Sequence, residues 1–573
     1  SDTLFQAGDQ TVWWDGTDDL GRNADAANHG LYLIPTHFVA PGHYTVRGLT
    51  HKAIDLHYEF SIYNAGHPAW ETADGKGGWL TNHTPPSSTL FVPADKAPGG
   101  KPLMFLGSYV SEGGSGLAWV DLDGNKQGGR GWIGGAWTAA PYLARDTGPQ
   151  ADPTVYAYVG AAWRIEAGKD AKLNHTAEIR LTALTPKGTR GSTYQGDRII
   201  LTYHYEPGDK LDKDETGRPI WSNQMEGLAV RNNLAVMSLT RIGKLLFADT
   251  TTKEVLGLAD VPKSGIAAEP APDLASDPAP RGLAFDPQGR LLVLSGTRLL
   301  RYTLPAKVQP DALPAPQVLI STGLEDPVGI TTDANGDIYI SDRGKSHQVK
   351  VFSAAGKLLR TIGHPGVPAP GPYDPLHMNN PRGLALDSNH HLWVAEEDFQ
   401  PKRVSVWDTN GQLLKTFYGP SEYGGGGELD PQDRTRFYYH QMEFKLDWAK
   451  GTDTLSSVLF RPNPDAGPVV GREAFPLPPF GGATDVVYAH GHRYFSNSYQ
   501  GHPSFGVAIG VVYLDTGGIL HPVAALGRAN DWPPRRSSRS GPRAPIRRSA
   551  RPITPSSLPG RTRTATARSI PKR

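Results

Sequence analysis

Residues 327–363 read PVGITTDANGDIYISDRGKSHQVKVFSAAGKLLRTIG, and residues 381–419 read PRGLALDSNHHLWVAEEDFQPKRVSVWDTNGQLLKTFYG. Both open Pro-x-Gly, reach an Asp at the seventh position and continue through three short apolar runs. A third copy starts at Pro280 (PRGLAFDPQGRLLVLSGTRLLRYT) and a weaker fourth at Glu226 (EGLAVRNNLAVMSLTRIGKLLFADTTTKEVLG). Successive starts therefore lie 54, 47 and 54 residues apart. A repeat of this length holding several short strands is the mark of a β-propeller, each copy making one four-stranded blade.

The physical reading of one copy is direct. The G-[LI]-[AT]-x-D stretch is an apolar inner strand, and a D-x-x-G turn leads to a second strand at Ile338-Tyr339-Ile340 or Leu392-Trp393-Val394. A third strand, Val349–Phe352 or Val404–Trp407, ends in a tight turn at Gly356 or Gly411, where glycine supplies the positive φ of a hairpin. Blade-like stretches recur at 117–124, 155–159, 442–448 and 485–488. We therefore expect an all-β chain: a propeller of six to eight blades over 101–532, preceded by a small immunoglobulin-like β-sandwich over 1–100. The sandwich rests on alternation in Gly42–Gly48 and Ile54–Tyr63.

Composition narrows the classes. The chain has 573 residues, a formal net charge of +1 and no cysteine, which excludes a disulfide scaffold, a thiolate metal site and a thiol nucleophile. No apolar run nears the ~20 residues that span a bilayer. The near-zero charge is a composite. Residues 533–573 hold eleven Arg, one Lys and no acid, leaving 46 basic against 57 acidic residues in 1–532, or −11. The body thus gives no electrostatic reason to bind nucleic acid. The tail lacks aromatics and reads as disordered. Its Arg/Pro/Ser composition also fits GC-rich coding DNA translated one base out of frame. The Ser1-Asp2-Thr3 opening and the lack of cysteine fit an exported, secreted or periplasmic protein.

The quoted copies resemble the NHL repeat, a resemblance specific at 327 and 381 and good at 280. It implies a propeller but not one activity. The wider group includes gluconolactonase-like metal-dependent lactonases, peptide-amidating lyases and binding propellers. In the lactonase pattern a Glu immediately before a Gly holds a divalent metal, so the resemblance implies Glu226 as metal ligand, with calcium as the expected ion.

Candidate site residues follow from blade equivalence, since equivalent positions converge at a propeller's channel. The position before G-[LI]-[AT] holds Glu226, Arg281, Val328 and Arg382. These charges suit either binding of a polar substrate or mutual pairing that ties blades together. Beyond the second strand stand Asp342-Arg343 and Glu396-Glu397-Asp398, with Glu396 the expected substrate contact. The acidic run reads either as oxygen ligands for calcium or as a solvated loop. Asp121–Asn125 and Asp333–Asp337 fit ordinary turns better than calcium loops. Tyr439, His440 and Glu443 place acid–base groups side by side, and Gln441-Met442-Glu443 echoes Gln224-Met225-Glu226. Asp485 and His490 make a second such group; packing of an inter-blade seam is the plainer reading of the aromatics. No G-x-S-x-G, H-E-x-x-H or phosphate-binding loop occurs.

The expected function is a monomeric, exported hydrolase or lyase. It would act on a small polar or glycan-like ligand at the channel mouth, through Tyr439, His440, Glu443, Asp485 and His490 with Arg281, Arg382 and Glu396. The alternative is a non-catalytic binding or cell-surface scaffold, favoured if the channel charges pair with one another.

Overall fold

The computed structural model describes residues 11, 17–18, 37–45, 79–80, 84–111, 115–134, 138–160, 177–186, 194–205, 226–264, 279–419, 427–461, 485–496, 509–527 and 568–569. Contacts divide the chain into two units, 1–52 and 53–573. In the first unit the described secondary structure is one two-stranded pairing, Thr17–Asp18 with His37–Phe38. Gly42–Thr45 is not in a strand. Ile54–Tyr63, and with it most of the expected sandwich, lies outside the described residues, as does the tail apart from Arg568–Ser569.

The second unit is a β-propeller. Six antiparallel sheets of four consecutive strands follow one another along 86–419. Their first strands are Pro86–Val92, Tyr142–Arg145, Leu228–Arg231, Pro280–Phe285, Pro327–Thr332 and Pro381–Leu386. Each first strand lies beside the next, and the sixth lies beside the first, so the sheets close into a ring. The 100/101 boundary expected between domains falls inside the first sheet, between paired strands Pro86–Val92 and Leu103–Ser108.

The repeat glycines explain how the inner strands pack. A Cβ on Gly227, Gly282 or Gly329 would overlap the carbonyl oxygen of Arg281, Val328 or Arg382 on the next inner strand. A Cβ on Gly383 would meet the backbone of Ser87–Thr89, which carries the same contact across the ring closure. Only a residue without a side chain permits backbones to approach this closely. Ser88, in the first sheet, makes the contact polar instead: its hydroxyl donates to the Ala140 carbonyl at 2.7 Å.

Apolar clusters fill the spaces between neighbouring blades rather than a single centre. Ala229, Val236 and Phe247 of the third sheet pack on Leu283, Leu291 and Tyr302 of the fourth. Tyr339, Val349 and Val351 of the fifth pack on Leu384, Val394 and Trp407 of the sixth. The turns follow the Asp-first pattern. Asp333 accepts backbone N–H bonds from Asn335 and Asp337, and Asp121 from Asp123 and Asn125, so both calcium-like stretches are turns. In the sixth blade His390 takes the left-handed position (φ 59°) that Gly336 fills in the fifth.

The stretches at 442–448 and 485–488 form two further sheets outside the ring. One pairs Glu428–Leu429, Arg436–Tyr439, Met442–Asp447, Thr452–Val458 and Gly371–Pro372; the other contains Asp485–Ala489, His492–Ser496, Ile509–Thr516 and Ile519–Gly527, with Arg568–Ser569 at its edge. They share a core of Tyr438, Leu459, Val486, Phe495, Val511, Tyr513 and Leu520. The first of them also rests through Met442, Leu455 and Val458 on Tyr373 and Tyr418 beside the sixth blade.

Candidate channel-mouth site

Sequence position puts one set of side chains at a single end of the ring. Glu226, Arg281, Asp326 and Arg382 stand at or just before the start of inner strands. Arg343 and Glu397 follow the ends of the antiparallel second strands Ile338–Asp342 and Leu392–Glu396. Adjacent antiparallel strands bring a start beside an end, so all six meet at one mouth.

They form a closed cycle of alternating charge. Arg281 Nε lies 2.7 Å from Glu226 Oε2, and its Nη1 pairs with Asp326. Arg343 lies 3.0 Å from Asp326 Oδ2 and 3.5 Å from Glu397 Oε2. Arg382 lies 2.7 Å from Glu397 and 4.0 Å from Glu226 Oε1, which closes the circuit. Three carboxylates and three guanidiniums cancel. Burial alone would raise the Asp326 carboxyl, but Arg343 and Arg281 more than offset it and hold it below the usual carboxylate range.

Two phenols complete one corner. Tyr142 OH accepts from Arg382 Nη2 at 2.6 Å and shares a 2.8 Å hydrogen bond with Tyr109 OH. The Arg382 guanidinium lies 5.0 Å and 5.5 Å from the two ring centroids, within cation–π range. Burial pushes Tyr142 up to about 12 and Tyr109 up as well, against the lowering field of Arg382. Both phenols therefore stay protonated at neutral pH. Each phenol thus keeps an O–H that can donate one hydrogen bond.

Glu226 is the exception in this network. It is 7% exposed, yet its close approach to Arg281 lacks hydrogen-bond alignment, and Oε2 and Arg281 Nε are buried without a hydrogen-bond partner. A buried carboxylate oxygen without a donor is costly. Its surroundings do not fit a divalent cation, since two guanidiniums flank the single carboxylate. Among the described residues no three His, Asp or Glu side chains are grouped to hold a metal.

Each acid of the Glu396–Asp398 run has its own arginine. Glu396 is fully buried and accepts from Arg403 Nε at 2.7 Å, Ser405 Oγ at 2.6 Å and Asn379 N at 2.8 Å. Glu397 pairs with Arg382, and Asp398 pairs with Arg461 at 3.0 Å. The run is a set of ion pairs, and the residue reaching the mouth is Glu397 rather than its neighbour Glu396. The signal lay in the register: Asp342 and Glu396 pair with Pro327 and Pro381, so Arg343 and Glu397 are equivalent.

The other acid–base candidates do not converge on the mouth. His440 and Gln441 form a two-residue turn with φ 45° and 62°, and burial lowers the His440 pKa to about 4. Glu443 lies inside a strand of a sheet outside the ring, so it is not the blade equivalent of Glu226. Its Oε2 lies 3.4 Å from Arg493 Nη1 and 3.7 Å from Arg436 Nη1. Tyr439 stacks obliquely on His440 at 4.8 Å. Asp485 opens a five-residue strand and His490 follows its end, about 16 Å away along it at ~3.3 Å per residue. Tyr109 and Tyr142 carry no repeat signal, because the first two sheets have lost the Pro-x-Gly pattern.

Comparison with known proteins agrees with the repeat reading. Residues 324–352 match the NHL repeat. Over 97 residues, 17% of this chain, the sequence is 32% identical to the probable peptidyl-alpha-hydroxyglycine alpha-amidating lyase pgal-1 of Caenorhabditis elegans. The match spans about a quarter (26%) of that protein. Among solved structures, a Lactobacillus plantarum protein aligns over 62% of this chain and 94% of its own at 14% identity and a TM-score of 0.36. A candidate 6-phosphogluconolactonase from Bacteroides uniformis aligns over 62% and 97%, at 14% identity and a TM-score of 0.35. With this match inside a closed ring of four-stranded sheets, the chain is a β-propeller that carries an NHL repeat at residues 324–352.

Proposed function

We propose that the chain is a ligand-binding propeller whose site is the corner made by Glu226, Arg281, Arg382, Tyr109 and Tyr142. The observation that supports this is the Glu226 carboxylate, nearly buried, flanked by two arginines and lacking an aligned donor. A ligand bearing O–H or N–H groups supplies that donor, and the two phenols supply complementary hydrogen bonds. Because the mouth's charges cancel, the ligand is polar and neutral rather than ionic. The mutual pairing of the six charges also favours binding over metal-assisted hydrolysis.

The test is calorimetric titration of the full chain with neutral polar compounds, including glucono-δ-lactone and neutral oligosaccharides. A neutral ligand should bind wild type and lose at least tenfold in affinity in Glu226→Gln, which removes the charged acceptor. If no neutral polar compound binds, or if Glu226→Gln binds equally well, the assignment of the site fails.

A lyase reading is second, supported by Tyr142 as a protonated acid held by Arg382 and by the lyase name of the matched relative. Turnover of a peptidyl-α-hydroxyglycine by wild type, abolished in Tyr142→Phe, would establish it over simple binding.

A further inference from the structure

The loops that carry the mouth charges of the fifth and sixth blades meet at one buried histidine. His347 ends the turn that Arg343 begins, and its backbone N–H donates to the Arg343 carbonyl at 3.0 Å. Its side chain is buried, and Nδ1 accepts from the Asn380 backbone N–H at 3.0 Å. Asn380 stands two residues before Arg382. Its carbonyl accepts from Glu397 N at 2.9 Å, and its side-chain amide donates to Asp398 Oδ2 at 2.9 Å. The bond from Asn380 to His347 therefore joins the loop of Arg343 to the two segments that supply Arg382 and Glu397. The charges across this seam pair loosely by comparison, with Arg343 Nη1 3.5 Å from Glu397 Oε2.

Asn380 does not keep this geometry unaided. Its φ is 50°, a left-handed conformation that residues other than glycine seldom adopt and that the surroundings must enforce. The acceptor for its N–H exists only while His347 Nδ1 carries no proton. Burial opposes a proton on that ring, and so do three neighbouring groups. His377, in the segment before the sixth blade, stacks on it at 6.2 Å. Arg343 lies on its own turn, and Arg461, paired with Asp398, follows strand Thr452–Val458. The Asp326 carboxylate acts the other way and favours the proton.

We propose that His347 is a positioning residue for the channel mouth, holding Arg382 and Glu397 in place against Arg343 through Asn380, and that its protonation in acid undoes this latch. The inference rests on the ligand-binding reading of the mouth and adds its regulation: a neutral ligand held at neutral pH is released on acidification. The sign follows from linkage. With the latch open, His347 titrates near 6.5 like any solvated histidine; with it closed, burial and the neighbouring cations hold it down to about 3. Opening therefore becomes easier by about tenfold for each pH unit below ~6.5. Only the contact between the 343–347 turn and Asn380 has to part, so the change is local.

Hydrogen exchange at the Asn380 amide of the full chain, corrected for the intrinsic rate, tests the latch without any ligand. In wild type its protection should fall at least tenfold from pH 7.5 to pH 5, while the amides of Leu291–Ser295 in the fourth blade keep theirs. His347→Asn retains a side-chain acceptor, tolerates the φ of 48° at this position and has no titrating group. Its Asn380 protection should change less than twofold over the same range. Calorimetric titration with maltotetraose, a neutral probe of the mouth, gives the second readout. At pH 7.5 the affinity should fall at least tenfold in His347→Ala and return in His347→Asn. At pH 5 it should fall in wild type and hold in His347→Asn. The proposal is overturned if Asn380 protection in wild type is indifferent to pH, if His347→Asn loses it in step with wild type, or if the fourth-blade amides lose theirs equally. Absence of maltotetraose binding to wild type at pH 7.5 would count against the binding reading alone, because the Asn380 amide reports the latch in the free protein.

Discussion

At the scale of single residues, the buried histidines set the response to acid. His440 is 8% exposed and held near a pKa of about 4 by burial, and His347 is held near about 3 by burial and by the neighbouring His377. His347 Nδ1 accepts from Asn380 N at 3.0 Å, a bond that only the ring with an unprotonated Nδ1 can make. Both rings are neutral in the folded state, while in the unfolded chain they titrate near 6.5. Below that pH the unfolded state binds more protons than the folded state, so stability rises with pH across this window. The stabilisation is complete above pH ~6.5 and declines on acidification toward pH ~4 for His440 and pH ~3 for His347. The His440 share is on the order of 3 kcal/mol once fully lost. Asn tolerates the positive φ of position 440, so His440→Asn keeps the turn and removes the titration. Urea unfolding of wild type between pH 7 and 4 should show a falling free energy, and the slope should flatten in His440→Asn. An unchanged slope would mean that other groups govern acid sensitivity.

At the scale of elements, the pair Glu396 and Arg403 joins three pieces of chain. Glu396 ends the second strand of the sixth blade, and Arg403 sits in the third strand. Arg403 also donates to Tyr373 OH at 2.6 Å, Pro375 O at 2.8 Å and His377 O at 3.1 Å, which anchors the segment between the fifth and sixth blades. Both side chains are 0% exposed. Removing Glu396 leaves a buried guanidinium without its counter-charge, a loss of roughly 3–5 kcal/mol. Glu396→Ala should therefore lower the unfolding midpoint sharply while the folded fraction keeps its channel-mouth affinity, because Glu397 remains. A loss of ligand affinity without loss of stability would assign Glu396 to the mouth after all. This pair also shows what could be read in advance. Strands, hairpin turns and the blade period were legible because apolar alternation and Asp/Gly turns are local chemistry. Arg281 and Arg382 were legible at the mouth because they occupy one repeat position. The choice between Glu396 and Glu397 was not, since a single residue reverses the side on which a side chain emerges. Tyr109 and Tyr142 were hidden for a different reason. They come from sheets whose sequence has drifted from the repeat, and only the closing of the ring brings them to Arg382.

At the scale of the whole molecule, the ring closes without sharing a strand between its ends. The first sheet is built wholly from 86–130 and the sixth wholly from 381–419, so no backbone ladder crosses their seam. Side chains must hold it. Trp79, upstream of the first blade and 1% exposed, enters the cluster of Met104, Leu106, Val120, Trp393, Val404 and Phe417 from both blades. Its indole N–H donates to the Gly124 carbonyl at 3.0 Å, and its ring lies 4.7 Å from that of Phe417, which stacks on Trp393 at 5.7 Å. Lys415 of the sixth blade reaches Asp123 of the first at 2.8 Å, but this pair is exposed and contributes little. Arg382 of the sixth blade and Tyr109 beside the first bridge the same seam at the mouth, so closure and the proposed site share a boundary. Trp79→Ala should destabilise the protein by roughly 3–5 kcal/mol, the usual cost of emptying a large aromatic site. The loss should also be local. Hydrogen exchange should accelerate first in Leu103–Val120 and Leu392–Trp407, on the two sides of the seam, while Leu291–Tyr302, across the ring, keeps its protection. The affinity of the proposed neutral ligand should fall with it, because the cation–π contact of Arg382 with Tyr109 spans the sixth and first blades that Trp79 helps to hold together. Uniform acceleration over all six blades would instead show that the ring unfolds as one cooperative unit and that the seam is no weaker than any other blade boundary.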